Sequence, residues 1–341
     1  MAAVLLPLVP VALVVGSIEY RYHGHGREVQ YGYVNIDGYR GDVRPRKHTG
    51  EFRVVVVGGS TVYGQGIAPD SAFPPQLERA LRARGRDISV INLGYMNDGA
   101  YADGLTLKDY RYLKYDLAVL YEGYNDLFNV PNFYSFRHSS LVFRLTGYFP
   151  MFPLVFEEKA KAIRYRGNMN AAYRGDQPVV PIGLPSRAGA AALEFAANLD
   201  KRMVAAQKEV ERTTSGACGY WTFFCEHVAD DVQIAFDGGA DVLLTVQPYV
   251  PLDGDPQDQS TYAVLHRGQA STTLNYLRGR FPGDARLHIA NLGEAVDLRR
   301  TEYRLDNLHL NEAGNAVIAR ELVGPVLRVA DERAARLRKA S

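Results

Sequence analysis

Cysteine is nearly missing from this chain: Cys218 and Cys225, seven positions apart, are the only two among 341 residues. No further Cys or His surrounds them at ligand spacing, which excludes a structural zinc site there. Two readings remain, a local disulfide that clips a loop or two buried thiols. An excess of one charge is missing too. Lys and Arg number 39 against 38 Asp and Glu, a net charge of +1. Such a chain has no global field to draw nucleic acid or acidic polymers, so no nucleic-acid partner is expected. Internal repeats and low-complexity tracts are absent. No Lys or Arg precedes the apolar run Ala3–Ile18, so the charged lead of an ordinary signal peptide is lacking. Pro7 and Pro10 interrupt the run, which is slightly short of the about 17–25 residues of a spanning helix. His23 and His25 flank Gly24 with no third or fourth ligand in view and read as loop histidines.

What is present suits a globular protein. The chain is 47% hydrophobic, ample for one domain with a full core and an insertion. Residues 1–20 are read as a hydrophobic anchor or uncleaved signal, which makes the membrane a partner through the N-terminal segment. A buried first strand or helix is the alternative. Residues 21–341 form the main domain.

Within it, Arg53–Val57 is a continuous β-branched run that ends in Gly58-Gly59, the pattern of a strand buried on both faces. Further strands are expected at Ile88–Asn92, Leu117–Tyr121, Val242–Val246 (followed by Gln247-Pro248) and Leu287–Ile289. Helices are expected at Ala72–Arg84, Tyr101–Lys114, Ser271–Arg280 and Glu312–Val326. This alternation predicts an α/β fold with a parallel sheet. It breaks at about 129–230, an aromatic, Pro-punctuated insertion with a long polar helix over Ala188–Thr213. The insertion's aromatics, among them Phe133, Tyr134, Phe143 and Phe149, read as its own core, with a hydrophobic lid or acyl groove as the alternative. The charged run Asp331–Lys339 reads as a solvated helix end.

Three motifs carry chemistry. In Val54–Gly64 a strand ends on a Gly-Gly turn that presents Ser60 at a helix start. No Lys precedes Ser60, so a P-loop is excluded. Ser60 and Tyr63 stand where a dinucleotide fingerprint needs glycines, and Val62 where a nucleophile elbow needs one. Ser60 is either an N-cap or an exposed nucleophile beside amides that stabilise an oxyanion. The second motif is Asp306-x-x-His309. A serine hydroxyl needs a base, and a carboxylate fixes the imidazole tautomer. The third is Gly123-Tyr124-Asn125-Asp126 after the third strand, where the Asn125 amide can reach the Ser60 site or close an Asx turn.

Taken together, Gly58-Gly59-Ser60, Asn125 in G-Y-N-D, Asp306-x-x-His309 before L-N-E-A-G, and the lead-in Asn35–Gly41 (NIDGYRG) resemble the SGNH/GDSL hydrolases. These are serine esterases and lipases, and the resemblance is to a bacterial membrane-anchored type, over about residues 31–128 and 240–326. It implies a flavodoxin-like three-layer α/β/α sandwich with a five-stranded parallel sheet. It also implies Ser60 as nucleophile, His309 as general base and acid, and Asp306 as its orienter. The oxyanion hole takes the Ser60 backbone N–H, the Asn125 side chain and a backbone N–H after the second strand. That last donor is glycine in the family. Here Asn97 stands nearest, with Gly99 second, and Asn tolerates unusual backbone angles.

The function expected is ester hydrolysis through an acyl-enzyme, on a small-molecule, glycan or lipid ester, with no cofactor and no metal. Two alternatives stay open: an O-acyltransferase on an envelope polysaccharide, and a non-catalytic binding protein on the same fold. The expected location is membrane-anchored or exported. The arginines that follow the apolar run, read by the positive-inside rule, point instead to the cytoplasm.

Overall fold

Val54, Val55, Val56 and Val57 are all fully buried, which requires cover on both faces of their strand. In the computed structural model, which describes residues 8–21, 23, 34–128, 136–152, 155, 159, 165–166, 212–249, 256–306 and 308–340, that cover is two helical layers. The strands are β1 (Phe52–Gly58), β2 (Ile88–Asn92), β3 (Leu117–Glu122), β4 (Asp241–Val246) and β5 (Leu287–Asn291). They form one parallel sheet in the order β2-β1-β3-β4-β5. This is the flavodoxin-like order, with β1 at the switch point. Gly58 lies opposite Tyr121, Glu122 opposite Val246, and Val246 opposite Asn291, so four strands end along one rim.

The helices are α1 (Leu8–Tyr20), α2 (Ser60–Tyr63), α3 (Phe73–Arg82), α4 (Ala100–Asp109), α5 (Phe136–Ser139), α6 (Leu141–Thr146), α7 (Thr222–Asp237), α8 (Pro256–Arg280) and α9 (Glu312–Ala340). On one face, Phe73, Leu77 and Leu81 of α3 and Ile318, Leu322, Val326 and Val329 of α9 pack on Val54, Val56, Val119 and Leu243. The spacing of four, four and three along α9 is a helical apolar stripe. Cutting Leu77 or Leu322 to Ala here would cost about 2–5 kcal/mol. On the other face, Leu107 of α4, Val228, Val232 and Ala235 of α7 and Leu277 of α8 cover Val55, Val57, Leu120 and Leu244. The fold is thus α/β, with helices flanking a five-stranded parallel sheet as the SGNH and flavodoxin-like arrangement requires.

The second face also buries polar groups. The Arg137 guanidinium is fully buried and donates to the carbonyls of Gly38 (3.2 Å) and Leu93 (3.2 Å) and to Thr106 Oγ1 (2.8 Å), with Asp98 at 3.3 Å. Asp103 of α4 and Asp231 of α7 are buried without a hydrogen-bond partner of normal geometry among the described residues. Burial, and then repulsion among Asp98, Asp103, Asp126 and their neighbours, pushes both carboxyls well above the usual range.

Several boundaries differ from the sequence expectation. α8 begins at Pro256 rather than Ser271. Proline is at home in a first helical turn, and the face this helix buries includes His266, Gln269 and Thr273, so apolar periodicity does not reveal it. α9 runs past Val326 to Ala340 with Pro325 inside it. Its extension is not only solvated: Arg333 reaches Asp241 Oδ1 at 3.0 Å, Arg336 pairs with the same carboxylate, and Asp331 pairs with Arg86. Cys218 and Cys225 form a disulfide at the start of α7. The polar helix expected over 188–213 and most of the insertion at 129–230 lie outside the described residues.

The N-terminal anchor is overturned. Among the described residues no helix is long and apolar enough to cross a membrane. The described part of α1 has 13 residues, about 20 Å of helix against about 30 Å of hydrocarbon. Its end is tied to the domain. The Glu19 carboxylate accepts from His23 Nε2 (3.0 Å), Tyr148 Oη (2.7 Å), Met151 N (2.9 Å) and Phe152 N (2.6 Å). Burial alone would raise this carboxyl; these hydrogen bonds outweigh it and hold the pKa at about 2. The membrane-anchored type, the membrane as a partner and the membrane-anchored location are therefore corrected together.

Candidate active site

β1 ends at Gly58, and the chain turns through Gly59 into α2, with Ser60 as its first residue. The Gly59 carbonyl accepts from Val62 N and Tyr63 N, both at 3.1 Å. The N–H groups of Ser60 and Thr61, at the start of this turn, precede any intrahelical acceptor. At the far end of α2, the buried Arg40 guanidinium donates to the carbonyls of Tyr63, Gly64 (2.6 Å) and Ile67 (2.7 Å). A cation on the last carbonyls of a helix is the favourable sign. Arg40 comes from the lead-in NIDGYRG, so that motif clamps the serine turn.

Asp306 and His309 meet within a tight local turn. Asp306 Oδ1 accepts from Leu308 N (2.8 Å) and His309 N (2.6 Å), while Leu305 N donates to the His309 carbonyl (2.8 Å). His309 Nδ1 stands 2.7 Å from Asp306 Oδ2, and His309 Nε2 stands 2.9 Å from Ser60 Oγ. An ionised carboxylate only accepts, so the proton sits on Nδ1 and Nε2 is left to accept from the serine hydroxyl. Burial pushes the Asp306 carboxyl up, but hydrogen bonds from the His309 amide and imidazole and the Leu308 amide outweigh it and hold it below its usual range. Three residues after α9 begins at Glu312, Asn315 Oδ1 accepts from Phe73 N at 3.0 Å and ties α9 to the start of α3.

Asn125 follows β3 in a short 3₁₀ turn, Tyr124–Asp126. Its Nδ2 donates to the Asp98 carbonyl at 2.6 Å, which uses one of the amide's two N–H bonds. The amide lies directly over Gly59: a Cβ there would collide with Asn125 Nδ2 and stand 2.9 Å from the Asp98 carbonyl. Gly59 has an ordinary φ of −79°, so it is glycine here for space rather than for backbone freedom. Asp98 belongs to the loop after β2 that carries the other two candidate donors. Asn97 is exposed and left-handed, at φ 60°. Gly99 is the N-cap of α4. Asp126 Oδ2 accepts from Ala100 N at 2.9 Å, and Arg212 pairs with Asp126 at 3.2 Å.

No family model matches this chain, and no curated protein does. Solved structures are similar to it at long range. A psychrotrophic esterase from Pseudoalteromonas sp. is 12% identical, with a TM-score of 0.40 over 82% of this chain and 98% of that one. A GDSL-like lipase from Bacteroides thetaiotaomicron VPI-5482 is 13% identical, with a TM-score of 0.39 over 85% and 93%. The aryl esterase of M. smegmatis is 15% identical, with a TM-score of 0.40 over 82% and 99%.

The geometry thus joins Ser60, His309 and Asp306 in one hydrogen-bonded series and sets Asn125 over the turn before Ser60. Asn97 and Gly99 share the loop whose Asp98 carbonyl Asn125 holds. Sequence reasoning missed the residues that brace these groups: Arg40, Asn315, Arg137 and Gln247. Each is polar and buried. The one local signal for Gln247 is its position, between the last apolar residue of a strand and a proline.

Proposed function

We propose that this chain hydrolyses carboxylic esters through a serine acyl-enzyme, in the manner of the SGNH hydrolases its motifs resemble. The observation that carries the reading is the series Asp306 Oδ2, His309 Nδ1, His309 Nε2, Ser60 Oγ, with spacings of 2.7 Å and 2.9 Å across the ring. Both distances lie within the reach a general base needs.

In this reading Ser60 Oγ attacks the ester carbonyl carbon, and His309 Nε2 takes its proton. Asp306 keeps the Nδ1 proton in place and stabilises the imidazolium. The carbonyl oxygen becomes an oxyanion that accepts from the Ser60 N–H and from Asn125 Nδ2. The Asn97 N–H supplies a third donor, with Gly99 as the second candidate for that place. Collapse expels the alcohol, which takes the proton from His309. Water then attacks the acyl-enzyme with His309 again as base, and the acid and free Ser60 are released. The substrate is a small-molecule, glycan or lipid ester.

The test is hydrolysis of p-nitrophenyl esters from acetyl to palmitoyl by the full chain and by Ser60→Ala, with a fluorophosphonate as covalent probe. The expected result is turnover that vanishes in Ser60→Ala and a phosphonyl adduct on Ser60. A folded chain with neither turnover nor adduct would sink the reading and favour a binding protein on this fold.

A further inference from the structure

We infer that Gln247 is a positioning residue that holds the nucleophile turn and the oxyanion amide in one frame. The inference rests on the Ser60 reading above. β4 ends at Val246, paired with Glu122 of β3, so the next residues in register are Gln247 and Gly123. The ladder stops there for two reasons. Pro248 has no N–H to continue it. Gly123 leaves the sheet at φ 141° and ψ −56°, a conformation other residues rarely reach. A side chain at Gly123 would also strike His266 Nε2, 2.5 Å from the position of its Cβ.

Where the ladder stops, the side-chain amide of Gln247 bonds backbone groups on either side of this turn. Its Oε1 accepts from Tyr124 N at 3.0 Å. Its Nε2 donates to Thr61 Oγ1 at 2.9 Å and to the Tyr121 carbonyl at 3.3 Å. Gln247 is only 4% exposed, so these contacts stand out of competition with solvent. Thr61 is the residue after Ser60, and Tyr124 is the residue before Asn125. One planar amide thus sets the distance between the serine turn and the loop that carries the oxyanion donor. Oxyanion stabilisation depends on such preorganisation, and a displacement of about 1 Å can cost about 10²-fold in rate.

The experiment compares the full chain with Gln247→Leu, Gln247→Glu and Thr61→Val. The readouts are p-nitrophenyl acetate kinetics, fluorophosphonate labelling rate and melting temperature. Gln247→Leu is expected to lower kcat by about 10–100-fold and labelling in parallel, with KM within about twofold. Thr61→Val, which removes the acceptor but keeps the shape, is expected to lower kcat by about 3–10-fold. Gln247→Glu keeps the acceptor for Tyr124 N but donates to Thr61 only when protonated. Its kcat relative to the unsubstituted chain should therefore rise as pH falls. Wild-type kcat in Gln247→Leu overturns the inference. So does unchanged kcat in Thr61→Val together with a flat pH ratio in Gln247→Glu, and these two variants decide the matter if Gln247→Leu does not fold. An unsubstituted chain that never labels at Ser60 overturns the catalytic reading itself, a result seen before any variant is compared.

Discussion

Ser60 and Asp306 stand at the two ends of one hydrogen-bonded series, yet their surroundings differ. Ser60 is 8% exposed, whereas the Asp306 side chain is 56% exposed. The serine end is braced by residues remote in sequence: Arg40 behind α2, Gln247 beside Thr61, and the Asn125 amide over Gly59. The aspartate end is braced by its own turn, through Leu308 N, His309 N and the Leu305 to His309 backbone bond. The difference teaches where function and stability separate. At the exposed turn a side chain can be changed with little effect on the fold, while at the buried end the same atoms serve both.

Asp306→Asn should break the comparison most visibly. It is expected to lower kcat by about 10²–10⁴-fold, because the amide favours the wrong imidazole tautomer. The melting temperature should stay within about 2 °C, as for an exposed substitution. Differential scanning calorimetry beside steady-state kinetics checks both, and a large loss of stability would show the turn to be structural.

Gly59→Ala is the matching change at the buried end. The new methyl group displaces the Asn125 amide, so kcat should fall by about 10²–10³-fold, the cost of losing one oxyanion donor. Here stability should fall as well, by about 1–3 kcal/mol, the usual penalty of overpacking. Chemical denaturation with parallel kinetics would show whether the two losses come together.

The floor beneath the buried end offers a smaller effect of opposite sign. Burial and then repulsion from Asp103 hold the Asp231 carboxyl well above 3.8, its ordinary value. The folded chain therefore binds more protons than the unfolded one in that window, and stability falls as pH rises through the raised value. Asp231→Asn removes this loss and should raise the melting temperature at pH 8 by about 2–4 °C. The gain should shrink toward pH 4, and a thermal melt at each pH measures it.

Glu19 lies outside both halves and should give the smallest effect on activity. Its pKa is held at about 2 in the fold against an ordinary 4.5, so the stability it contributes is present above 4.5 and is lost as pH falls toward 2. Glu19→Gln should leave kcat unchanged and speed amide hydrogen exchange at the end of α1. Slower or unchanged exchange would show that the carboxylate does not hold this helix.

Much of this architecture was legible in the residues themselves. The four valines of β1 and the apolar runs of β2, β3 and β4 announced a buried parallel sheet, and Ser60, Asn125, Asp306 and His309 each stood at a strand or helix end. The turn of Asp306 and His309 is local, so its spacing already implied a contact. The apolar run at the N-terminus misled, because hydropathy does not show that Glu19 at its end docks into the domain.

By itself the sequence determined the order and type of the core elements and which side chains are chemically able to act, since periodicity and residue chemistry are local properties. Only the tertiary structure decided which groups meet and what holds them. The Ser60–His309 bond closes over 249 positions and the Gln247–Thr61 bond over 186. Buried polar residues such as Gln247, Arg40 and Arg137 look like surface residues in a linear pattern. Their role exists only once folding removes water and leaves their partners no other choice.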